Sequence, residues 1–271
     1  MNRAIISAVF LLSSAGTYSA YAASESVLID GGVFQMGCSV DDTDCENDEG
    51  SQGGVTVDVP AFQLDVNEVS VAEYNACISA GKCQRPKDFQ RNKYCNIGAV
   101  GRDDHPANCV DWQQALDYCH WKGGRLPLEA EWEKAARGES VTRYPWGQNV
   151  SCKHAILDDG VTMGSVSNEP DGCGEDRTWP RGSRAANSLG LNDMHGNAGE
   201  WTMNWYEKDA LARYAKGDLV GPSSGRQRVV RGGSWDENTN NLRSSFRNVK
   251  PPVSGRGIYG SIGFRCAYDV K

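Results

Sequence analysis

The sequence predicts an α+β fold, a single compact domain that is loop-rich and stapled by disulfides. Three observations predict it. Three short helical periods stand in the first half of the chain, each with its own start and stop signals. The remainder is punctuated by glycine and tryptophan (31 Gly and 8 Trp in the chain), which suits short strands and turns with aromatic side chains filling an irregular core. Ten cysteines, an even number, follow an apolar leader, so the thiols meet an oxidising compartment.

The leader comes first. Asn2-Arg3 precedes an apolar stretch from Ala4 to Leu12, and Ala20-Tyr21-Ala22 offers small residues where a signal peptidase reads. So short a stretch cannot span a bilayer. Residues 1–22 are therefore expected to be a cleaved signal peptide and 23–271 the mature domain, periplasmic or secreted. Cys38 is too far from the apolar run for a lipoprotein anchor, and no later stretch is apolar for long enough to insert in a membrane. The leader carries Arg3 and no acid, so the net charge of −7 becomes −8 on its removal. An acidic chain without a basic run argues against nucleic acid and against an anionic membrane surface as partners.

Val27 to Met36 alternates loosely and predicts a strand pair turning at Asp30-Gly31-Gly32. Asp41 to Glu49 holds six acids in nine residues, expected to be a solvated loop within a small disulfide ring; it lacks the glycine that an EF-hand needs. Residues 50–54 are expected to be a flexible loop. Ser70 and Glu73 form a capping box for a helix over 71–80, stopped by Gly81. Asp111 and Gln114 form another, before a helix in which Trp112, Ala115, Leu116 and Cys119 share one face. Gly123-Gly124 ends it. A third helix over 129–137 buries Trp132, Ala135 and Ala136, with Glu129, Glu131 and Glu133 near its positive N-terminus. Beyond it, turns and short strands are expected.

Among the cysteines, Cys38 with Cys45, Cys77 with Cys83, Cys95 with Cys109, and Cys152 with Cys173 are candidate pairs, leaving Cys119 and Cys266; spacing alone leaves the connectivity open. Zinc is not expected, since no C-x-x-C pair and no histidine pair at ligand spacing exists.

Four segments carry a more specific signal. Phe34-Gln35-Met36-Gly37 is followed by Glu68-Val69-Ser70. His105-Pro106 and Val110-Asp111-Trp112 lead to Arg125-Leu126-Pro127-Leu128 and Glu129-Ala130-Glu131-Trp132. Gly190-Leu191-Asn192-Asp193-Met194-His195-Gly196-Asn197-Ala198-Gly199-Glu200-Trp201 is the third. Arg231-Gly232-Gly233-Ser234-Trp235, with Arg243, Arg247 and Gly263-Phe264-Arg265-Cys266, is the fourth. In this order they resemble the formylglycine-generating enzyme, or sulfatase-modifying factor, family over nearly the whole mature chain. The resemblance implies a variant of the C-type-lectin fold and a Cys119–Cys266 bridge, which would tie the last strand to the core. Leu128 stands where the family has Thr, which removes a helix cap.

The resemblance also implies a structural calcium ion at Asp193, Gly196, Ala198 and Glu200, where carboxylates bracket a loop that can turn around a hard cation. A second family calcium site matches at Asp171 and Cys173 but has Ile156 and Leu157 at its other half. The family's oxidases bind copper through two cysteines. Here Ser244 matches one and the other falls near Thr239, and neither replaces a thiolate as a soft ligand for Cu(I). Copper-dependent formylglycine generation is not expected. Nor does the iron site of the sulfoxide-synthase branch fit, because His105, His120, His154 and His195 are the only histidines and no added helical domain exists. His195 reads as a packed residue ahead of a general base, and Ser234 as a turn former.

Two functional readings follow. The first is a calcium-binding recognition module with a surface groove near Trp235, Arg243, Ser244 and Arg247, for a peptide, a glycan or a cell-envelope protein. The alternative is a periplasmic oxidoreductase acting on a peptide-like substrate, resembling siderophore maturation or sulfatase modification, with the same residues lining its pocket.

Overall fold

Among the described residues the chain folds through nine short strands and four helices, and its longest-range tie is the pairing of its last strand with residues 62–64. The structure, a computed structural model, describes residues 25–86, 92–163, 171–253 and 259–270. The expected signal peptide lies outside the described residues.

β1 (Ser26–Ile29) and β2 (Gly32–Met36) are the strands expected over 27–36, but they do not pair with each other. β1 pairs antiparallel with β4 (Phe62–Asp65), and β2 with β3 (Val55–Val59). The register carries across the break, with Ile29 opposite Phe62 and Gly32 opposite Val59. Asp30-Gly31 is thus an interruption in one long ladder, and the reversal lies farther on, between β2 and β3. Gly31 approaches the opposing strand so closely that a Cβ would stand 2.8 Å from the Ala61 nitrogen. Only glycine fits there.

α1 (Val71–Ser79) begins at Ser70, whose Oγ accepts from the Glu73 N–H at 3.1 Å while Glu73 accepts from the Ser70 N–H at 2.8 Å. α2 (Trp112–Trp121) repeats the device with Asp111 and Gln114. α3 (Glu129–Arg137) has no side-chain acceptor at Leu128. Two side chains from elsewhere in the turn and the sheet close that end: Glu131 accepts from the Leu128 N–H at 2.7 Å and Asn204 from the Glu129 N–H at 2.8 Å. Gly138 follows with φ 57°, in the left-handed region. α4 (Ala210–Tyr214), not anticipated from the sequence, has Asp209 at its N-cap without a side-chain cap hydrogen bond and packs beside β3.

The second half is organised by a four-stranded sheet of order β7 (Asn248–Lys250), β6 (Arg228–Arg231), β5 (Gly199–Trp205), β8 (Ile262–Gly263), in which β5 and β8 run parallel. β9 (Ala267–Asp269) joins β4, so the C-terminus closes onto the first sheet. One apolar core lies between α1, α2 and β5, around Tyr74, Tyr118, Trp201 and Phe264. A second lies between α3, α4 and the first strands.

All ten cysteines are bridged: Cys38–Cys45, Cys77–Cys83, Cys95–Cys109, Cys119–Cys266 and Cys152–Cys173. Five disulfides place the folded chain in an oxidising, extracytoplasmic compartment. Among the described residues no helix is long and apolar enough to cross a membrane.

Candidate functional site

Arg243, Ser244 and Arg247 follow a 3-10 turn (Thr239–Leu242) that directs them into the protein. Arg243 forks onto Glu49, with Nη2 to Oε1 at 2.7 Å, and reaches Asp42 at 3.3 Å. Arg247 forks onto Glu129 at 2.6 and 2.9 Å and donates to the carbonyls of Asp48 and Glu207. Arg231 joins Glu129 at 3.1 Å and Glu133 at 2.7 Å. The side chains of Arg231, Arg243, Glu49, Glu129 and Glu133 are at most 1% exposed. A groove lined by these arginines is therefore not what the structure shows: the guanidinium groups are core-facing. The physical reason is charge matching, since a buried cation must be paired and hydrogen-bonded.

The same pairing corrects the acidic run. Asp42 and Glu49 are buried beneath Arg243, Asp44 holds Arg143 at 2.7 Å, and Asp48 accepts from Tyr206. The loop is an ionic clasp over residues 243–247. Glu129 and Glu133 do more than favour a helix dipole. Burial works to raise the Glu129 pKa, but Arg247 and Arg231 win and hold it at about 2.

Trp235 is buried, tilted against Tyr94 at a centroid distance of 4.9 Å, with its indole N–H toward the Gly260 carbonyl at 3.4 Å. Ser234 donates to Asp236 at 2.6 Å, a local turn contact. Ser244 meets His195, Oγ to Nε2, at 3.1 Å. His195 is enclosed with its ring edge toward Trp132 and Trp146. Burial, with Arg137, Arg231 and Arg265 nearby, drops its pKa to about 3, so at neutral pH it is an uncharged hydrogen-bonding group and a weak base.

The calcium motif lies in the loop entering β5. Glu200 is gripped by Arg265, with Nη2 to Oε1 at 2.7 Å, and also accepts from the Trp132 indole at 2.7 Å. Asp193, at φ 52°, accepts the Gly182 N–H at 2.6 Å. Glu68 adds a third carboxylate, accepting from Asn197 and from the Ala198 N–H. Burial, with the Glu200 charge and, for Glu68, the Asp193 charge beside it, lifts Asp193 to about 6 and Glu68 well above the usual carboxylate range, against Arg265. Three carboxyl groups, Glu68, Asp193 and Glu200, thus stand around one arginine, Arg265. Among the described residues, though, no three acidic, histidine or cysteine side chains stand arranged to hold a metal ion. At the second family site the Ile156 and Leu157 carbonyls accept from the Asn197 and Cys173 N–H groups, so their main-chain oxygens are already engaged.

Two features escaped the sequence. Glu237, just past the Arg231-to-Trp235 motif, accepts from the Asn248 side chain at 2.7 Å through Oε1, while its Oε2 is enclosed without a hydrogen-bond partner. Burial and Asp236 raise its pKa to about 7. A carboxyl group with a raised folded pKa binds its proton more tightly when folded, so it makes stability fall as pH climbs from the unfolded value through about 7. Glu237→Gln should thus gain on the parent by up to about 3 kcal/mol between pH 5 and pH 8. Urea melts at both pH values check this; a difference that does not change with pH sinks it. The second feature is an open polar groove of about 460 Å³ lined by Cys45, Glu46, Asn47, Asp48, Tyr206 and Lys208. A tyrosine following Trp205 at the end of β5 was the available signal, but the acidic loop that forms the opposite wall is over 150 residues away.

Comparison with known proteins follows the motifs. Residues 14–270 match the family described as the sulfatase-modifying factor enzyme 1-like domain. The serine/threonine-protein kinase Pkn1 of Chlamydia trachomatis is 33% identical over 262 residues, covering 92% of this chain and 39% of that protein. The formylglycine-generating enzyme of Streptomyces coelicolor is 37% identical over 193 residues, covering 69% of this chain and 60% of that enzyme. The chain thus spans well under two thirds of the first of these relatives. Among solved structures, PvdO from Pseudomonas aeruginosa superposes with a TM-score of 0.72 at 26% identity, covering 90% of this chain and 94% of PvdO.

Proposed function

The chain belongs to the sulfatase-modifying factor enzyme 1-like family, and from that premise we propose that it is an extracytoplasmic recognition module, not a thiol-based oxidase. The observation that carries this reading is the state of its sulfur: all ten cysteines are in disulfides. Cu(I) in this family's chemistry wants soft thiolates, and the folded chain offers none. Ser244 is spent on His195, and Arg243 and Arg247 on carboxylates. The partner is a peptide, a glycan or a cell-envelope protein, met in the periplasm or outside the cell.

A structural calcium ion at Asp193, Gly196, Ala198 and Glu200 belongs to the same reading. What supports it is the placement of three carboxyl groups, Glu68, Asp193 and Glu200, around a single arginine, Arg265. Glu200 already faces Arg265 and Trp132, so Asp193 and the loop carbonyls would carry most of the coordination. When bound, the ion would supply the positive charge that one arginine leaves short.

The alternative is an oxidoreductase acting on a peptide-like substrate, resembling siderophore maturation or sulfatase modification. The 37% identity to a formylglycine-generating enzyme favours it. Its oxidising power would have to come from a group other than a cysteine pair. One experiment separates the two: elemental mass spectrometry of the dialysed protein, followed by oxygen-electrode traces with a cysteine-containing peptide. Calcium at about one ion per chain and a flat oxygen trace are expected. Stoichiometric copper or iron together with oxygen uptake overturns the recognition reading.

A further inference from the structure

The groove between the Cys38–Cys45 loop and the end of β5 is absorbed neither by the ionic core nor by the calcium motif. Its floor is fixed. The Tyr206 hydroxyl donates to Asp48 Oδ2 at 2.9 Å, and the Arg247 guanidinium lies 5.1 Å from the Tyr206 ring centroid while donating to the Asp48 carbonyl at 3.2 Å. The Tyr206 N–H is held by the Gln227 carbonyl at 2.8 Å. The near wall is pinned twice, by the Cys38–Cys45 bridge and by Glu49 under Arg243. A wall so restrained loses little conformational freedom when a ligand arrives.

The rim is different. The side chains of Glu46, Asn47 and Lys208 are exposed, and among the described residues they take no hydrogen bond or ion pair. They bring a carboxylate acceptor, a carboxamide that both donates and accepts, and an ammonium donor. Half-buried Tyr206 adds an aromatic ring, one face of which Arg247 approaches. The volume, about 460 Å³, is in the range of small-ligand sites, while the lining is polar where such sites are mostly apolar. A strongly anionic ligand would face Glu46 and Asp48, and a strongly cationic one Lys208. A neutral ligand dense in hydroxyl and amide groups meets a partner for each, and its C–H faces can lie against the negative face of the tyrosine ring.

We propose that this groove is a ligand site and that the ligand class is a neutral oligosaccharide. This rests on the recognition reading and gives it a place on the molecule. Asn47, Lys208 and Glu46 bind hydroxyl and amide groups, and Tyr206 is the platform for a sugar ring.

The test is saturation-transfer NMR on the mature chain with a β-1,4-linked N-acetylglucosamine tetramer, with tetralysine and tetraglutamate as charged controls. Transfer to the tetramer alone is expected. Asn47→Ala and Lys208→Ala, both at exposed positions, should each weaken it about five-fold. Tyr206→Phe should keep binding within about two-fold, and Tyr206→Ala should lose it. Transfer to a charged peptide in place of the tetramer, or to no probe, overturns the ligand class. Tetramer binding unchanged in Asn47→Ala and Lys208→Ala overturns the site. Neither result touches the recognition reading, which falls instead on bound copper or iron with oxygen uptake.

Discussion

Arg243→Ala is expected to cost about 3–5 kcal/mol of stability, the range for breaking a buried ion pair by removing one partner. The guanidinium neutralises Glu49 and Asp42, both buried, and its loss leaves Glu49 without its ion-pair partner and Asp42 with Arg143 at 3.6 Å. Urea denaturation checks this, with the midpoint falling and the slope holding. A second variant gives the mechanism. Arg243→Met with Glu49→Gln removes both charges while filling similar space, and should recover most of the loss. A ligand-facing arginine would behave the other way, with stability intact and binding gone. A change of less than about 1 kcal/mol for Arg243→Ala would return it to the surface, where exposed pairs are worth that little.

The covalent counterpart is the bridge between Cys119 and Cys266. Their separation of 147 residues encloses more than half the chain, and both side chains are fully buried between α2 and the strand that follows Cys266. In the chain-entropy model the double variant Cys119→Ala, Cys266→Ala loses about 4–5 kcal/mol. The Cys77–Cys83 bridge, with a separation of 6, closes a far smaller loop, and the matching double alanine variant should lose about half as much. Thermal or urea melts of the two variants side by side measure the difference. Equal losses would mean that local packing around the sulfurs, not loop closure, sets the effect.

Several elements were legible because their instructions are local. Ser70 with Glu73, and Asp111 with Gln114, specify helix starts within four residues, and α1 and α2 begin where those boxes stand. Leu128 was readable as a missing cap, and α3 indeed starts without one, held by Glu131 and Asn204 instead. Four of the bridges join cysteines that neighbour one another in the cysteine order or close a modest loop. The ordered motifs carried the family.

The strand partners were less legible. Alternation from Val27 to Met36 marks two strands but not what they face, and the Asp30-Gly31 turn signal hid a ladder that continues to Val55.

The sequence by itself determined the first three helices, their starts, the cysteine framework and the family, since each is written in spacings of a few residues or in a recognisable order of motifs. Only the tertiary structure decided which charges are interior. Glu129 and Glu133 look like favourable helix-end acids, and Arg243 and Arg247 look like a basic surface, until α3 and the acidic loop arrive opposite them. Arg243 meets Asp42 across 201 residues of chain, and Arg247 meets Glu129 across 118. A charge can be buried only when its counter-charge is delivered to it, and that delivery is a property of the packed fold that no local spacing records.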